Sequence, residues 1–155
     1  MKILDSNLWI FGLLGKNRKA VQLIERIDDG RTESAMNAYI LQEVLERLPY
    51  VPGLTGAEVD HIQTTLLRRL PRMKGLIDRP TSAEVHEDLL SNRRENLDVN
   101  LIATILDMQA KDVPVLVLGY KHREKRPTVL TNDMAFAGLE PANHNLPAVE
   151  IQHIP

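Results

Sequence analysis

The segment 128–136 constrains this chain more than any other part of its sequence. A short β-branched run, 128–131, is followed by Asp133 and then by a helical turn that carries a phenylalanine. A buried strand that ends on a carboxylate places the charge in the crevice outside the carboxyl edge of an open α/β sheet, where such sheets bind their ligands. The opening run 1–4 repeats the pattern, because it ends on Asp5. Two carboxylates in one pocket repel each other unless a cation lies between them, so these strand ends predict a cation-binding pocket.

Hydrophobic periodicity predicts how the rest of the chain is organised. Apolar residues at helical spacing predict several helices, one beginning after an Asn37 cap and one after a capping box at Thr55, and apolar runs predict strands between them. Strands that alternate with helices favour an α/β fold with a mostly parallel central sheet flanked by helices. The predicted helices are 8–14, 16–29, 38–48, 56–70, 82–91 and 97–110, and the further predicted strands are 31–36, 113–118 and an edge strand at 148–153.

Composition limits the class of protein. At 155 residues the chain fits one domain, 1–155, and 43% hydrophobic with 26% charged residues is typical of a globular protein. The absence of cysteine excludes disulfides, thiolate zinc sites and cysteine nucleophiles. No apolar run approaches the ~18 residues of a membrane span, so we expect a cytoplasmic protein with no membrane partner. A formal net charge of −2 does not by itself indicate a nucleic-acid binder, although local clusters of Lys and Arg could hold a polyanion.

Four acids have positions that suggest a shared site. Asp5 and Asp133 end predicted strands, Glu43 borders the apolar stripe of a helix, and Asp98 lies on the apolar face of the helix 97–110. A bare carboxylate on a buried face costs several kcal/mol, so Asp98 must be capped, paired, protonated or bound to metal. Converging carboxylates with open coordination positions suit Mg²⁺ or Mn²⁺, which activates water for phosphodiester hydrolysis.

Each acid also has a structural interpretation that involves no metal. Asp5 and Asp133 could cap the helices that follow them, and Asp98 could be a first-turn acid that interacts with the helix dipole. Glu43 could simply be solvated on its helix flank. The ordered pattern of all four acids favours the shared site over these separate explanations.

The order of these acids resembles that of a known nuclease family. The motifs that carry the likeness are residues 3–7 around Asp5, 37–45 around Glu43, 97–104 around Asp98 and 130–136 around Asp133. In this order they resemble the PIN domain, a metal-dependent ribonuclease fold that includes the VapC-type toxins of toxin–antitoxin pairs. The resemblance implies a three-layer PIN-like fold and an endoribonuclease that uses Mg²⁺ or Mn²⁺, with these four acids as catalytic metal ligands.

The same resemblance implies roles for polar neighbours and partners. Ser6, Asn7 and Asn132 would orient metal-bound waters or the phosphate of an RNA substrate. By its resemblance to VapC-type toxins, we expect the chain to form a homodimer and to bind a small antitoxin protein. The basic residues expected to contact the RNA backbone are Arg68, Arg72, Arg94, Lys121 and Arg123.

Two features depart from the family pattern. Val99 and Asn100 follow Asp98 where small apolar residues are usual. About 20 residues, 111–130, separate the third acidic motif from the fourth, which is longer than the usual connection. The apolar run 113–118 within that segment is therefore expected to form an extra strand or hairpin.

Two other functions remain open from the sequence. A non-catalytic module on the same scaffold could bind RNA or a protein through its surface without turnover. A receiver-type phosphoryl-transfer protein also uses strand-end Asp residues with Mg²⁺, but it needs a positioned Lys or a second Asp beside the first. Here Ser6 and Asn7 follow Asp5.

Overall fold

A computed structural model of the chain describes residues 1–81, 83–84 and 96–155. The helix predicted at 82–91 falls outside these ranges apart from residues 83 and 84, and so does Arg94. The helices are α1 (Ser6–Leu13), α2 (Arg18–Asp28), α3 (Ala38–Arg47), α4 (Gly56–Arg69), α5 (Leu97–Leu106), α6 (Val113–Lys121) and α7 (Met134–Ala137). The strands are β1 (Lys2–Leu4), β2 (Ser34–Ala35), β3 (Leu76–Asp78), β4 (Thr128–Thr131) and β5 (Glu150–His153). Single 3₁₀ turns occupy Leu48–Tyr50, Leu70–Arg72, Arg123–Lys125 and Pro141–His144.

The strands form parallel pairs, as expected for an α/β protein. Strand β4 pairs with β1 on one side and β5 on the other, and β2 pairs with β3. The Lys2 N–H donates to Glu33 O at 2.9 Å, which holds the β2–β3 pair beside β1 and extends the order to β3-β2-β1-β4-β5. From β1 the chain continues to β2 on one side of the β1–β4 pair, and from β4 it continues to β5 on the other side. The crevice between the carboxyl ends of β1 and β4 is therefore the topological switch point, where open α/β sheets bind ligands.

Helices cover both faces of the sheet. Gly119 of α6 lies against the side chain of Val129, which points to one face of β4. The neighbouring Leu130 points to the opposite face, because side chains alternate along a strand, and there it faces residues of α2. Ile3 and Trp9 lie fully buried in the core. Within the described ranges, every helix is too short or too polar to cross a bilayer.

Several predicted boundaries agree with the structure because their caps form. The side chain of Asn37 accepts the Ile40 N–H at 3.0 Å and begins α3. Thr55 and Glu58 form the reciprocal bonds of the capping box at the start of α4. The late alternating run forms β5 at the edge of its sheet, as predicted.

The prediction of a strand at 113–118 is wrong, because this run is the first part of helix α6. The helix is buried almost all round, so the run shows no helical periodicity and its valines suggest a strand. Pro114 is compatible with the helix because it lies in the first turn, where its missing N–H has no intrahelical partner. The segment 111–130 is thus not an extra strand or hairpin.

The prediction that Asp98 lies on a buried face is also wrong. Helix α5 buries Val99 and Leu106 and turns the opposite face to the surface. Leu101, three residues after Asp98 and on the same face, is 55% exposed, and Asp98 is itself exposed. No desolvation penalty therefore demands a metal at Asp98.

Candidate functional site

Asp5 lies at the end of β1 and is almost fully buried. Its Oδ1 accepts the Leu8 N–H at 2.8 Å and caps α1, while its Oδ2 accepts the hydroxyl of Thr131 from the end of β4. Burial raises the pKa of the Asp5 carboxyl, these hydrogen bonds lower it, and the negative charge of Glu43 raises it further. The capping interpretation is correct for Asp5, and the same carboxylate also joins the two central strands.

Glu43 on α3 is buried beside α1 rather than solvated. Its Oε2 accepts the Ser6 hydroxyl at 2.7 Å, and its Oε1 lies 3.4 Å from Nε of Arg47, one turn later on the helix. Arg47 also donates to Oδ1 of Asn7 at 2.7 Å. Ser6 and Asn7, both expected near the site, thus hold Glu43 and Arg47 in place.

Asp133 follows β4 and caps α7. Its Oδ1 accepts the N–H groups of Ala135 and Phe136 at 2.8 and 3.1 Å, and its own N–H donates to the Thr131 hydroxyl oxygen at 3.0 Å. The capping interpretation is therefore correct for Asp133 as well. The side-chain Oδ1 of the neighbouring Asn132 is buried and has no hydrogen-bond partner in the described part of the chain.

Asp112 is the fourth acid of this region. It immediately precedes α6, and its side chain makes no capping hydrogen bond. Its pKa is raised to about 6, mainly by burial; the charge of Lys111 lowers the pKa, and those of Asp133, Glu43 and Asp5 contribute to the increase. The four carboxylates thus share one electrostatic environment near the carboxyl ends of β1 and β4.

Helices α3 and α6 are tied together beside this region. The Asn37 side chain, which caps α3, also donates to the carbonyl of Pro114 at 2.9 Å. This bond links the helix that carries Glu43 to the first turn of the helix that follows Asp112. One amide therefore sets the relative position of two of the four acids.

In the described part of the chain, no ion pair joins the predicted basic residues to the four acids. Lys121 pairs with Asp78 at 2.9 Å and lies at the far end of α6, roughly 13 Å along the helix axis from Asp112. Arg123 is exposed in the turn beyond it, and Arg68 and Arg72 are exposed at the end of α4 and just after it. Lys121 is thus paired elsewhere, and the basic rim stays a prediction for Arg68, Arg72 and Arg123.

Two cations that were not predicted as site residues are near the acids. Arg47 contacts Glu43, and the charge of Lys111 acts on Asp112. The i,i+4 spacing of Glu43 and Arg47 was a readable signal for the first. Asp112 was missed because the run after it was interpreted as a strand, although an Asp directly before a Pro-containing first turn indicates a helix start.

The oxygen donors fit a hard divalent cation in type. Within the described ranges, no group of three or more His, Asp or Glu side chains is arranged so as to hold a metal ion. Mg²⁺ keeps several of its waters and usually binds proteins through one or two carboxylates, so it needs no such cage. The unpartnered Oδ1 of Asn132 and the mutual repulsion at Asp112 are both features that a cation would relieve.

Comparisons with known proteins assign no family to the chain. No family model matches it, and no curated protein matches it significantly. The position and the chemistry of the acidic region are therefore what indicates its function.

Proposed function

We propose that the chain is a divalent-metal-dependent endoribonuclease with a PIN-like fold. One observation carries the proposal: Asp112 lies close enough to Asp5, Glu43 and Asp133 for all three to raise its pKa, at the switch point of a parallel sheet. Groups whose pKa is shifted by burial together with neighbouring charges cluster at functional sites. Carboxylates from four separate elements converging there are suited to Mg²⁺ or Mn²⁺.

In this proposal Asp112 takes the place that the sequence resemblance gave to Asp98. The helix after the third acid is then α6, and only residues 122–127 separate it from β4. The long connection that departed from the family pattern disappears with this assignment. Asp98, exposed on α5, has no role in the site.

Different residues of the chain would have different roles in RNA cleavage. One or two of Asp5, Glu43, Asp112 and Asp133 would bind the metal directly, and the others would contact its waters. A bound divalent ion supplies a nucleophilic water at neutral pH and stabilises the charge that develops on the scissile phosphate. Arg47 and Lys111 would attract the phosphate, with Arg47 steered by Asn7, and Ser6 keeps Glu43 oriented.

A cleavage assay with matched variants tests the proposal. A random-sequence pool of labelled single-stranded RNA is incubated with the full chain and Mg²⁺ or Mn²⁺, with EDTA as the metal-free arm. We expect cleavage that EDTA abolishes and that Asp5→Asn or Asp112→Asn reduces roughly 100-fold or more, since each removes a charge from the metal site. Asp98→Asn is the matched control and should cleave like the parent chain.

Two results would contradict the assignment. Cleavage that survives EDTA and Asp5→Asn would exclude the acidic region as its source. RNA binding without cleavage, at any divalent ion concentration, would favour the alternative of a non-catalytic RNA-binding module. Thermal unfolding of each variant excludes loss of fold as the reason for lost activity.

The same proposal includes a role as a toxin that forms a homodimer and is neutralised by a small antitoxin protein. Co-expression provides its test. We expect the chain alone to slow growth, Asp5→Asn to restore it, and the protein encoded beside it to neutralise the effect. Unchanged growth with the active chain would argue against the toxin role while leaving the nuclease proposal to the cleavage assay.

A further inference from the structure

A cavity of about 460 Å³ lies between α2 and the face of the sheet opposite α6. Helix α2 supplies one wall, and β1, β4 and the end of β5 supply the other. Leu130 lines the cavity, whereas the next residue, Thr131, points to the other face and bonds to Asp5. The cavity is thus separate from the acidic region, and its volume is in the range of small-molecule sites.

The charge of this cavity is opposite to that of the whole chain. Among the described residues, four cations line it, namely Lys2, Lys19, Arg26 and Arg31, against the single carboxylate of Glu25, although the chain carries a formal net charge of −2. Arg31 is paired with Asp29, and Lys2 donates to the Thr128 hydroxyl at 3.0 Å.

Two of these cations have neither an ion pair nor a side-chain hydrogen bond among the described residues. Among the residues that the structure describes, neither Lys19 nor Arg26 forms an ion pair. Like charges in one cavity raise its electrostatic potential, and an anion bound there lowers it. The cavity is therefore suited to an anionic group placed near α2.

The remaining lining is apolar with two amides. Leu23 and the largely buried Leu130 and Ile154 supply an apolar surface, and Gln22 and Gln152 add their carboxamides to the lining. Each amide offers a donor and an acceptor. A ligand that satisfies this lining has an anionic group, a body with an apolar face, and polar atoms along its edge.

We propose that this cavity binds a nucleoside monophosphate, either free or as the phosphorylated end of an RNA strand. The phosphate lies against Lys19 and Arg26, the base covers the apolar surface, and Gln152 bonds to the edge of the base. The inference does not depend on the proposed nuclease activity, because none of the four acids lines the cavity.

Calorimetry on the full chain tests this proposal with AMP and UMP as probes and with adenosine and inorganic phosphate as the two halves of the ligand. We expect the nucleotides to bind more tightly than either half. Lys19→Gln and Arg26→Gln should each weaken AMP binding roughly tenfold, because each removes one charged hydrogen bond. Gln152→Leu should weaken AMP binding and leave the affinity for inorganic phosphate unchanged.

The matched control is Arg18→Gln, an exposed cation at the start of α2 that does not line the cavity. It should bind AMP like the parent chain. A phosphorylated dinucleotide that binds more tightly than AMP identifies an RNA end as the ligand, and one that binds more weakly identifies the free nucleotide. The proposal is overturned if no nucleotide binds, if inorganic phosphate binds as well as AMP, or if Arg18→Gln weakens binding as much as Arg26→Gln.

Discussion

Thr131 is the residue whose side chain donates a hydrogen bond to the buried Asp5 carboxylate. Its hydroxyl donates to Asp5 Oδ2 and accepts the N–H of Asp133, so one oxygen serves two of the four acids. With Asp5 only 5% exposed, water cannot replace a lost donor fully. An unmet hydrogen bond to a buried carboxylate costs about 1–3 kcal/mol.

We therefore predict that Thr131→Val lowers the free energy of unfolding by about 1–3 kcal/mol at neutral pH. The loss should shrink as the pH falls, because a protonated Asp5 depends less on the donor. Thr131→Ser keeps the hydroxyl and should show a loss that does not vary with pH. Urea unfolding over a range of pH measures both variants, and identical pH profiles would contradict the role given to the hydroxyl.

Asp112 predicts a pH dependence with a definite sign. Its pKa is about 6 in the folded chain against an ordinary value of 3.8, so the folded state binds its proton more tightly. The contribution of Asp112 to stability is therefore present at low pH and is lost as the pH rises through about 6. In EDTA, Asp112→Asn should be as stable as the parent chain near pH ~4 and about 1–2 kcal/mol more stable above pH ~7, allowing for solvent screening. Asp98→Asn is the exposed control, and a parent chain that is more stable than Asp112→Asn above pH ~7 would contradict the prediction.

At the scale of elements, the close approach of β3 to the end of α2 depends on a glycine. A Cβ on Gly75 would lie 2.7 Å from Ile27 O and still closer to Thr32 O, and both are backbone atoms that cannot turn aside. The Gly75 N–H donates to Ile27 O at 2.8 Å, so the same contact holds the segment before β3 against α2. β3 follows Gly75 directly, so it pairs with β2 only if that contact is kept.

We predict that Gly75→Ala lowers the free energy of unfolding by about 3 kcal/mol or more, since the backbone must move to admit the methyl group. Gly56→Ala is the matched control. Gly56 begins α4 and has open space around it, so alanine there should be neutral or stabilise the chain by up to about 1 kcal/mol. Thermal or urea unfolding of the two variants distinguishes them, and equal stabilities would show that the segment before β3 adapts freely.

At the scale of the whole molecule, the strand order brings distant acids to one place. Asp5 and Asp133 are far apart in sequence, yet parallel pairing of β1 with β4 puts them at neighbouring carboxyl ends. Helices α3 and α6 then add Glu43 and Asp112. The repulsion that results is a property of the assembled fold and is absent from the unfolded chain.

In the proposed function, a bound metal ion relieves this repulsion. Metal binding should therefore increase the stability of the folded chain. A ligand that binds only the folded state at 100 times its Kd stabilises it by about 2.7 kcal/mol. We predict that Mg²⁺ raises the unfolding temperature of the parent chain in a saturable way and that Asp112→Asn gains less. Sodium chloride of equal ionic strength is the control, and an equal effect of the two salts would exclude a specific divalent site.

Local patterns were sufficient to predict much of this protein. Asn37 and the Thr55 capping box begin the helices they were expected to begin, because a cap depends on residues within one turn. Asp5 and Asp133 likewise follow strands, since a short apolar run and its terminal acid are contiguous in sequence. Parallel pairing followed from the alternation of strands and helices, although the PIN-like fold itself is still a prediction.

Local sequence patterns did not predict which helix faces are buried and which are exposed. The run 113–118 forms a helix in which every residue except Val117 is buried, and a segment that is apolar throughout has no periodicity to reveal its type. Asp98 and Asp112 both begin helices, but only packing between distant segments exposes the first and crowds the second among three other carboxylates. Burial and electrostatic coupling arise from residues far apart along the chain, so they exist only once the chain has folded.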